Sequence, residues 1–224
     1  MSVYIFDTET TGFTDTAIVE AAWIKVSTIN NLFSPDGVFV QRYNPGKPIE
    51  CGALATHHIL DEELDGWPHS SEFQLPADAE YLVGHNVDYD WRAIGSPEIK
   101  RICTSAISKE LWKGADSHSQ SALLYFLSED RIRTREKLKN AHSAMQDVEN
   151  CLELLHHIIV ATGVTTWEAL YELSEKSRIP TIMPFGKHSG EEIKSIPSGY
   201  KSWALANMTN LDPYLRIALG GKNA

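Results

Sequence analysis

The chain opens on a short apolar and β-branched run, Val3 to Phe6, broken at once by Asp7-Thr8-Glu9-Thr10-Thr11-Gly12. Such a run followed by turn-forming residues predicts a first strand that ends at the acidic pair. Ala17 to Val26 holds Ile18, Val19, Ala21, Ala22, Trp23, Ile24 and Val26, the near-continuous apolar pattern of a central strand. Gly37 to Tyr43, closed by Asn44-Pro45-Gly46, predicts a third strand. Pro48 to Leu64 predicts a loop with short helical pieces, and Trp67-Pro68 opens an irregular stretch before a short buried strand at Tyr81 to Gly84. Asn86 to Ile94 predicts a helix start and Arg101 to Thr104 another strand. Alternation of this kind points to an α/β fold.

Further along, Ser117 to Leu127 and Ala144 to Ala161 carry apolar residues at helical spacing, the second through Met145, Val148, Leu152, Leu155, Ile158 and Ile159. The charged stretch Glu129 to Lys139 between them predicts a mobile loop. Gly163 ends the long helix, Trp167 to Leu173 predicts one more, and Arg178-Ile179-Pro180 breaks the pattern, placing a linker at about 174–182. From Thr181 onward five basic residues face three acidic ones, a net of +2, whereas the preceding part carries −12. This shift predicts a domain over 1–173 and a small module over 181–224.

A length of 224 residues suits one full core with an appendage, and 42% hydrophobic with 22% charged residues is ordinary globular usage. The first residues lack the basic stretch and long apolar run of a signal peptide, and no segment approaches the roughly 20 apolar residues that span a bilayer. A cytoplasmic protein without a membrane partner is expected. Cys51, Cys103 and Cys151 are odd in number and far apart, which argues against a disulfide framework or structural zinc and predicts three small buried hydrophobes. A net charge of −10 argues against nucleic acid as partner unless bound cations supply the positive charge.

The acidic residues change that picture. Bringing Asp7, Glu9, Asp90 and Asp147 together would cost strong repulsion, about 4 kcal/mol for two unit charges 4 Å apart at an effective dielectric near 20. Such a group must bind cations or hold protons. Oxygen donors alone select hard ions, so Mg²⁺ or Mn²⁺ is the natural occupant. Asp7 and Glu9 are two apart in a strand and leave the same face. Two ions about 3.5 to 4 Å apart activate water and stabilise the departing oxygen of a phosphodiester, and a histidine suits the remaining task of general base. His142 and Asp147 are five residues apart, about 140° on two different faces of a helix, so His142 is placed at or before the helix start.

Phe6-Asp7-Thr8-Glu9-Thr10-Thr11-Gly12, His85-Asn86-Val87-Asp88-Tyr89-Asp90 and His142-Ser143-Ala144-Met145-Gln146-Asp147 resemble the three motifs of the DEDD exonuclease superfamily, histidine subclass, over about residues 1–165. The resemblance implies a ribonuclease H-like mixed sheet flanked by helices, with release of 5'-mononucleotides from a 3' end; together with the tail described below it implies DNA as the substrate. It implies two Mg²⁺ ions, with Mn²⁺ as substitute. Asp7 would bridge both, Glu9 and Asp147 would complete one site, Asp90 would hold the other, and His142 would be the base. Asp88 is the competing acid near Asp90, but the family pattern selects the last acid of the motif. RNA trimming is the alternative activity, because no decisive reader of the 2'-hydroxyl stands out. A non-catalytic nucleic-acid or polymerase-binding module is the alternative from another class.

Around this centre, Thr10, Thr11 and Gly12 are expected to form a tight turn whose backbone N–H groups meet a nucleotide. Phe13 either stacks on the terminal base or packs beneath the turn. Ala53 to Ile59 resembles the family's loop near the terminal sugar, which selects His57; without it, His57 and His58 read as exposed loop histidines. Asn86 is placed near substrate and as a cap for the following helix, and His85 is expected to orient neighbouring groups. Met183 to Gly190 and the spacing of Tyr200, Trp203 and Asn207 resemble the small tail of the exodeoxyribonuclease X subgroup. Those three residues share a helical face and predict a tiny core, while Lys187 and His188 sit on a Gly-bounded turn able to meet phosphate.

Overall fold

The computed structural model describes residues 2–140 and 142–221 and divides into two compact units, Met1–Ser174 and Glu175–Ala224. The first unit is built on a five-stranded mixed sheet. Its strands are β1 (Val3–Thr10), β2 (Ile18–Val26), β3 (Gly37–Arg42), β4 (Tyr81–Gly84) and β5 (Lys100–Cys103), in the order β3-β2-β1-β4-β5. The β1–β2 and β2–β3 pairs are antiparallel, and β1–β4 and β4–β5 are parallel. Helices α1 (Cys51–His57), α2 (Asp88–Ala93), α3 (Thr104–Leu111), α4 (Gln120–Leu127), α5 (Arg131–Lys137), α6 (Ala144–Thr162) and α7 (Trp167–Ser177) complete it. This is the ribonuclease H-like α/β arrangement, a mixed sheet flanked by helices.

Alternation along β1 sorts its residues between two cores. Val3 and Ile5 face α6, joining Val148, Cys151, Leu155 and Ile158 of that helix together with Ala22 and Ile24 of β2. Tyr4 and Phe6 point the other way, against Leu82, Val87 and Cys103. The long helix is well delimited: Ser143 Oγ accepts from the N–H of Gln146, and Gly163, at φ 68°, ends it in the left-handed conformation that glycine adopts without strain.

Several expectations are corrected. β1 does not stop at the acidic pair but runs through it to Thr10, because pairing with β2 continues as Asp7↔Ala22, Thr8↔Ala21 and Glu9↔Glu20 before a bulge at Glu9/Thr10. The charged 129–139 stretch is not a loop: it contains α5, whose first turn is held by Asp130 Oδ1 accepting from Ile132 and Arg133, both at 3.1 Å. Sequence pattern also passed over α3, which follows β5 without a turn and buries small polar residues; Ser108 satisfies itself by donating to Thr104 O at 2.7 Å. The linker expected at 174–182 begins inside a helix, since α7 continues to Ser177. Cys103 and Cys151 are buried, but Cys51 opens α1 exposed to solvent. Among the described residues no helix is long and apolar enough to cross a membrane.

The second unit is held by Met183, Ile193, Ile196, Ala204, Leu211, Leu215 and Leu219. It contains α8 (Ser198–Asn207) and α9 (Pro213–Ala218), the latter capped by Asp212 Oδ1, which accepts from Tyr214 at 2.9 Å and Leu215 at 3.1 Å. The expected core of Tyr200, Trp203 and Asn207 is not what forms. Tyr200 packs at the margin of the core, while Trp203 and Asn207 face solvent, because the turns before α8 contribute the inner aliphatic residues instead.

Candidate active site

The same alternation that sends Val3 and Ile5 toward α6 carries Asp7 and Glu9 to that face. On α6, Asp147 lies one turn before Cys151, on the stripe that packs against the sheet. Asp7, Glu9 and Asp147 thereby converge, each with a carboxylate oxygen within 4.8 Å of the others. Asp90 arrives from the first turn of α2 and is fixed to the residue between the two strand acids: its Oδ1 accepts from Thr8 N at 3.0 Å and Thr8 Oγ1 at 2.7 Å. Asp88 turns away to the guanidinium of Arg101, which lies 3.8 Å from the centre of the Trp91 ring. His142 precedes the helix by two residues, exposed and in the left-handed region at φ 72°, and its N–H donates to Asp147 Oδ2 at 3.2 Å.

Burial drives all four acids toward their protonated forms, and neighbouring carboxylates add to it at Asp7, Glu9 and Asp90. Glu9 is pushed up to about 9, with Asp147, Glu20 and Asp90 adding to the effect. Asp90 rises to about 7 through burial although the Thr8 hydrogen bonds oppose it. Asp7 is raised well above the ordinary carboxylate range by burial and by Asp90 and Glu9, and Asp147 is raised by burial. A cluster of hard oxygen donors that must otherwise retain protons is suited to a divalent cation. Since Glu9 has a folded-state value above its unfolded one, its contribution to stability is complete below about pH 4.5 and is lost as pH rises through about 9. Thermal melts in chelator are expected to shift downward from pH 5 to pH 9, with Mg²⁺ restoring most at the alkaline end; a profile flat in both conditions would contradict this electrostatic picture.

Glu20 is a residue that motif reading missed. It lies opposite Glu9 in the β1–β2 register, a pairing of like charges that is unfavourable unless other groups engage it. Its Oε2 accepts from the N–H of Ala144 at 2.9 Å, and its Oε1 lies 3.5 Å from Arg42 Nε. The carboxylate thus ties the first turn of α6 to the sheet beside the acidic cluster. A buried Glu inside the apolar run Ile18 to Val26 was the available signal. Glu20→Ala is expected to leave the Ala144 N–H unsatisfied, costing about 1–3 kcal/mol of stability. It should lower kcat roughly 10-fold, a loss of about 1.4 kcal/mol in the barrier, by loosening Asp147, with partial rescue in Glu20→Gln. Melts and steady-state kinetics that match wild type in the alanine variant would remove Glu20 from this role.

Beside the cluster a cleft of about 330 Å³ is lined by Glu9, Thr10, Gly12, Phe13, His57, Asn86 and Tyr89 among others. Gly12 sits at φ 134°, and a Cβ there would lie 2.3 Å from Glu50 Oε2, so the turn requires glycine. The expected tight turn with free N–H groups is corrected. Thr10 belongs to β1, and Thr11 is buried with its N–H donated to Ala17 O at 2.9 Å and its Oγ1 accepting from Ala17 N at 3.0 Å. Thr11 therefore braces the loop from behind. Phe13 is 87% exposed, with its ring against Tyr89 at 5.6 Å, which rules out a core role beneath the turn.

His57 is buried rather than exposed; His58 takes the left-handed position that ends α1. Nδ1 of His57 accepts from Ile59 N at 3.0 Å, so Nε2 carries the proton and donates to Thr10 O at 3.2 Å. Both ring nitrogens are occupied, burial lowers the pKa, and His57 presents a neutral ring wall to the cleft. Asn86 is exposed at φ 67° and lines the cleft, but the helix cap falls at Val87, so the expected side-chain cap is absent. His85 bridges Thr104 Oγ1 at 3.0 Å and His118 O at 2.9 Å, and burial pushes its pKa down to about 4, so it braces the strand ends as a neutral ring.

Comparison with known proteins agrees with this geometry. The chain is 28% identical over 220 residues to Exodeoxyribonuclease 10 of Escherichia coli, covering 96% of each chain. It superposes on Exonuclease X in complex with 5' overhanging duplex DNA with a TM-score of 0.57 and 24% identity, covering 77% of this chain and 99% of that one. E. coli Exonuclease I in complex with a dA16 oligonucleotide shares the fold at a TM-score of 0.56 and 14% identity, over 80% of this chain and 44% of that one. The family profile described as Exonuclease (RNase T) matches residues 4–155. With that span covering the sheet, the acidic strand and most of α6, the chain belongs to the exonuclease family, the 3'–5' phosphodiester hydrolases of the DEDD superfamily.

Proposed function

We propose that the protein is a Mg²⁺-dependent 3'–5' exodeoxyribonuclease of the histidine subclass that releases 5'-mononucleotides from DNA in the cytoplasm. The observation that carries this is the convergence of Asp7, Glu9 and Asp147 with Asp90 fixed beside them. DNA is favoured over RNA by the relatives, one named an exodeoxyribonuclease and one seen with duplex DNA. Residues 1–173 form the exonuclease domain on this reading, and 181–224 an accessory module.

Asp7, Glu9 and Asp147 would hold one ion, with Asp7 and Asp90 holding a second. Bound there, the ions supply Lewis-acid charge for phosphodiester hydrolysis, and Mn²⁺ is an adequate substitute. His142, exposed in the left-handed conformation beside the Asp147 carboxylate that its N–H engages, accepts the proton of the attacking water. The water oxygen bonds to phosphorus, the bond to the 3'-oxygen of the penultimate nucleotide breaks, and that oxygen takes up a proton as the 5'-nucleotide leaves. Phe13 stacks on the terminal base, a sequence-tolerant contact of about 1–3 kcal/mol. Gly12 lets the backbone approach the nucleotide, the His57 ring and Thr10 wall its sugar, and Asn86 offers a free amide.

A digestion panel with end-labelled single-stranded, duplex, mismatched and RNA ends, each with and without Mg²⁺, tests the reading. Mononucleotides from DNA only when metal is present are expected. Faster RNA than DNA digestion would replace the substrate class, and no digestion of any end by folded protein would reject the activity.

A further inference from the structure

The second unit carries an aromatic row that its own core uses only in part, through Tyr200. The Tyr200 ring is flanked by His188, with centroids 4.4 Å apart at 70°, and by Trp203, 5.6 Å away at 37°. Trp203 is 51% exposed, and of this row only Tyr200 packs against the unit's core. The row is held in place: His188 Nδ1 lies 3.0 Å from Glu191 Oε2, and Asn207 Nδ2 donates to Trp203 O at 2.8 Å.

Charge identifies the occupant. By sequence the second unit carries a net +3 and the first −13. Lys187 falls between Gly186, where a Cβ would lie 3.4 Å from Tyr200 Oη, and His188, whose ring meets Tyr200 edge-on. Its exposed chain therefore leaves from the border of the aromatic row, and it pairs with no acidic group among the described residues. Exposed rings beside an unpaired cation match an alternating polymer of flat bases and phosphates. A protein partner would require neither this charge nor this alternation.

We propose that Trp203 and Tyr200 form a stacking platform for single-stranded DNA, with Lys187 taking a backbone phosphate. The platform binds single strands independently of the acidic cluster. The identity of the ligand rests on the exodeoxyribonuclease reading; the contact itself does not require cleavage.

Fluorescence anisotropy of the full chain with a labelled 30-nucleotide oligo-dT, in EDTA so that nothing is cut, reads the platform directly. Trp203→Ala is expected to weaken binding about 10-fold, within the range of one lost base–aromatic stack, and Trp203→Phe to restore most of it. Lys187→Glu should lower the slope of log affinity against log salt by about 0.7, the value for one single-strand phosphate contact. Photocrosslinking of wild-type protein to 5-bromodeoxyuridine DNA, mapped by mass spectrometry, is expected to label the segment 200–207, and needs no variant to fold. Unlabelled 200–207 with unchanged affinity in Trp203→Ala would overturn the platform and leave these rings to a protein partner. Because digestion is measured separately, a chain that degrades DNA but fails both binding assays refutes the platform alone, and one that binds through Trp203 but digests nothing refutes the activity alone.

Discussion

Asp7→Ala is expected to reduce turnover by about 10³-fold or more while the protein stays folded and, in chelator, melts at a higher temperature than wild type. The two effects share one cause. Asp7 stands beside Glu9 and Asp147 and feels the field of Asp90, so on the proposed reading it is the one carboxylate common to both ions. Loss of several kcal/mol of charge stabilisation in the transition state corresponds to at least three orders of magnitude in rate. The same substitution removes one member of a buried, mutually repelling set, and two such charges at 4 Å are worth about 4 kcal/mol at an effective dielectric near 20. Single-turnover kinetics and melts with and without Mg²⁺ measure both halves. Full activity in the variant would refute the site assignment; a lower melting temperature in chelator would show that packing outweighs repulsion at this position.

His142→Ala is expected to lower kcat at least about 100-fold, the usual contribution of a positioned general base. Its backbone complicates the reading in a useful way. His142 occupies the left-handed region at φ 72°, where alanine is strained by about 1–2 kcal/mol and asparagine is tolerated. Comparing His142→Asn with His142→Ala separates the two roles. If the imidazole takes the proton, both variants lose rate alike in single-turnover kinetics. If instead the residue only shapes the turn that donates its N–H to Asp147, asparagine retains the rate, and another base must be sought.

How these residues meet also explains what a linear reading can reach. The alternation of Val3, Ile5, Asp7 and Glu9 is a local property of an extended chain, so the shared face of the two acids was legible before any fold was known. The spacing of His142 and Asp147 was legible for the same reason: helical geometry forbids one face for residues five apart, and the helix does begin at Ala144. Side-chain competition misled the reading where the outcome depended on distant partners. Thr11 looked like a turn residue with a free N–H, yet Ala17 takes it up; His57 looked like a loop histidine, yet Thr10 and Ile59 engage both its nitrogens.

The order of apolar runs, the acidic motifs and the helical stripe of α6 were determined by sequence alone, because periodicities of 2 and 3.6 residues fix which side chains share a face. A Glu within an apolar run marks Glu20 as unusual, but tertiary structure alone decided that it joins the cluster's supports, since its partner Ala144 lies 124 residues away. It decided too that Trp203 stays outside its small core while Ala204 enters it, because burial is set by which neighbouring segments fold over a helix, and that information lies elsewhere in the chain.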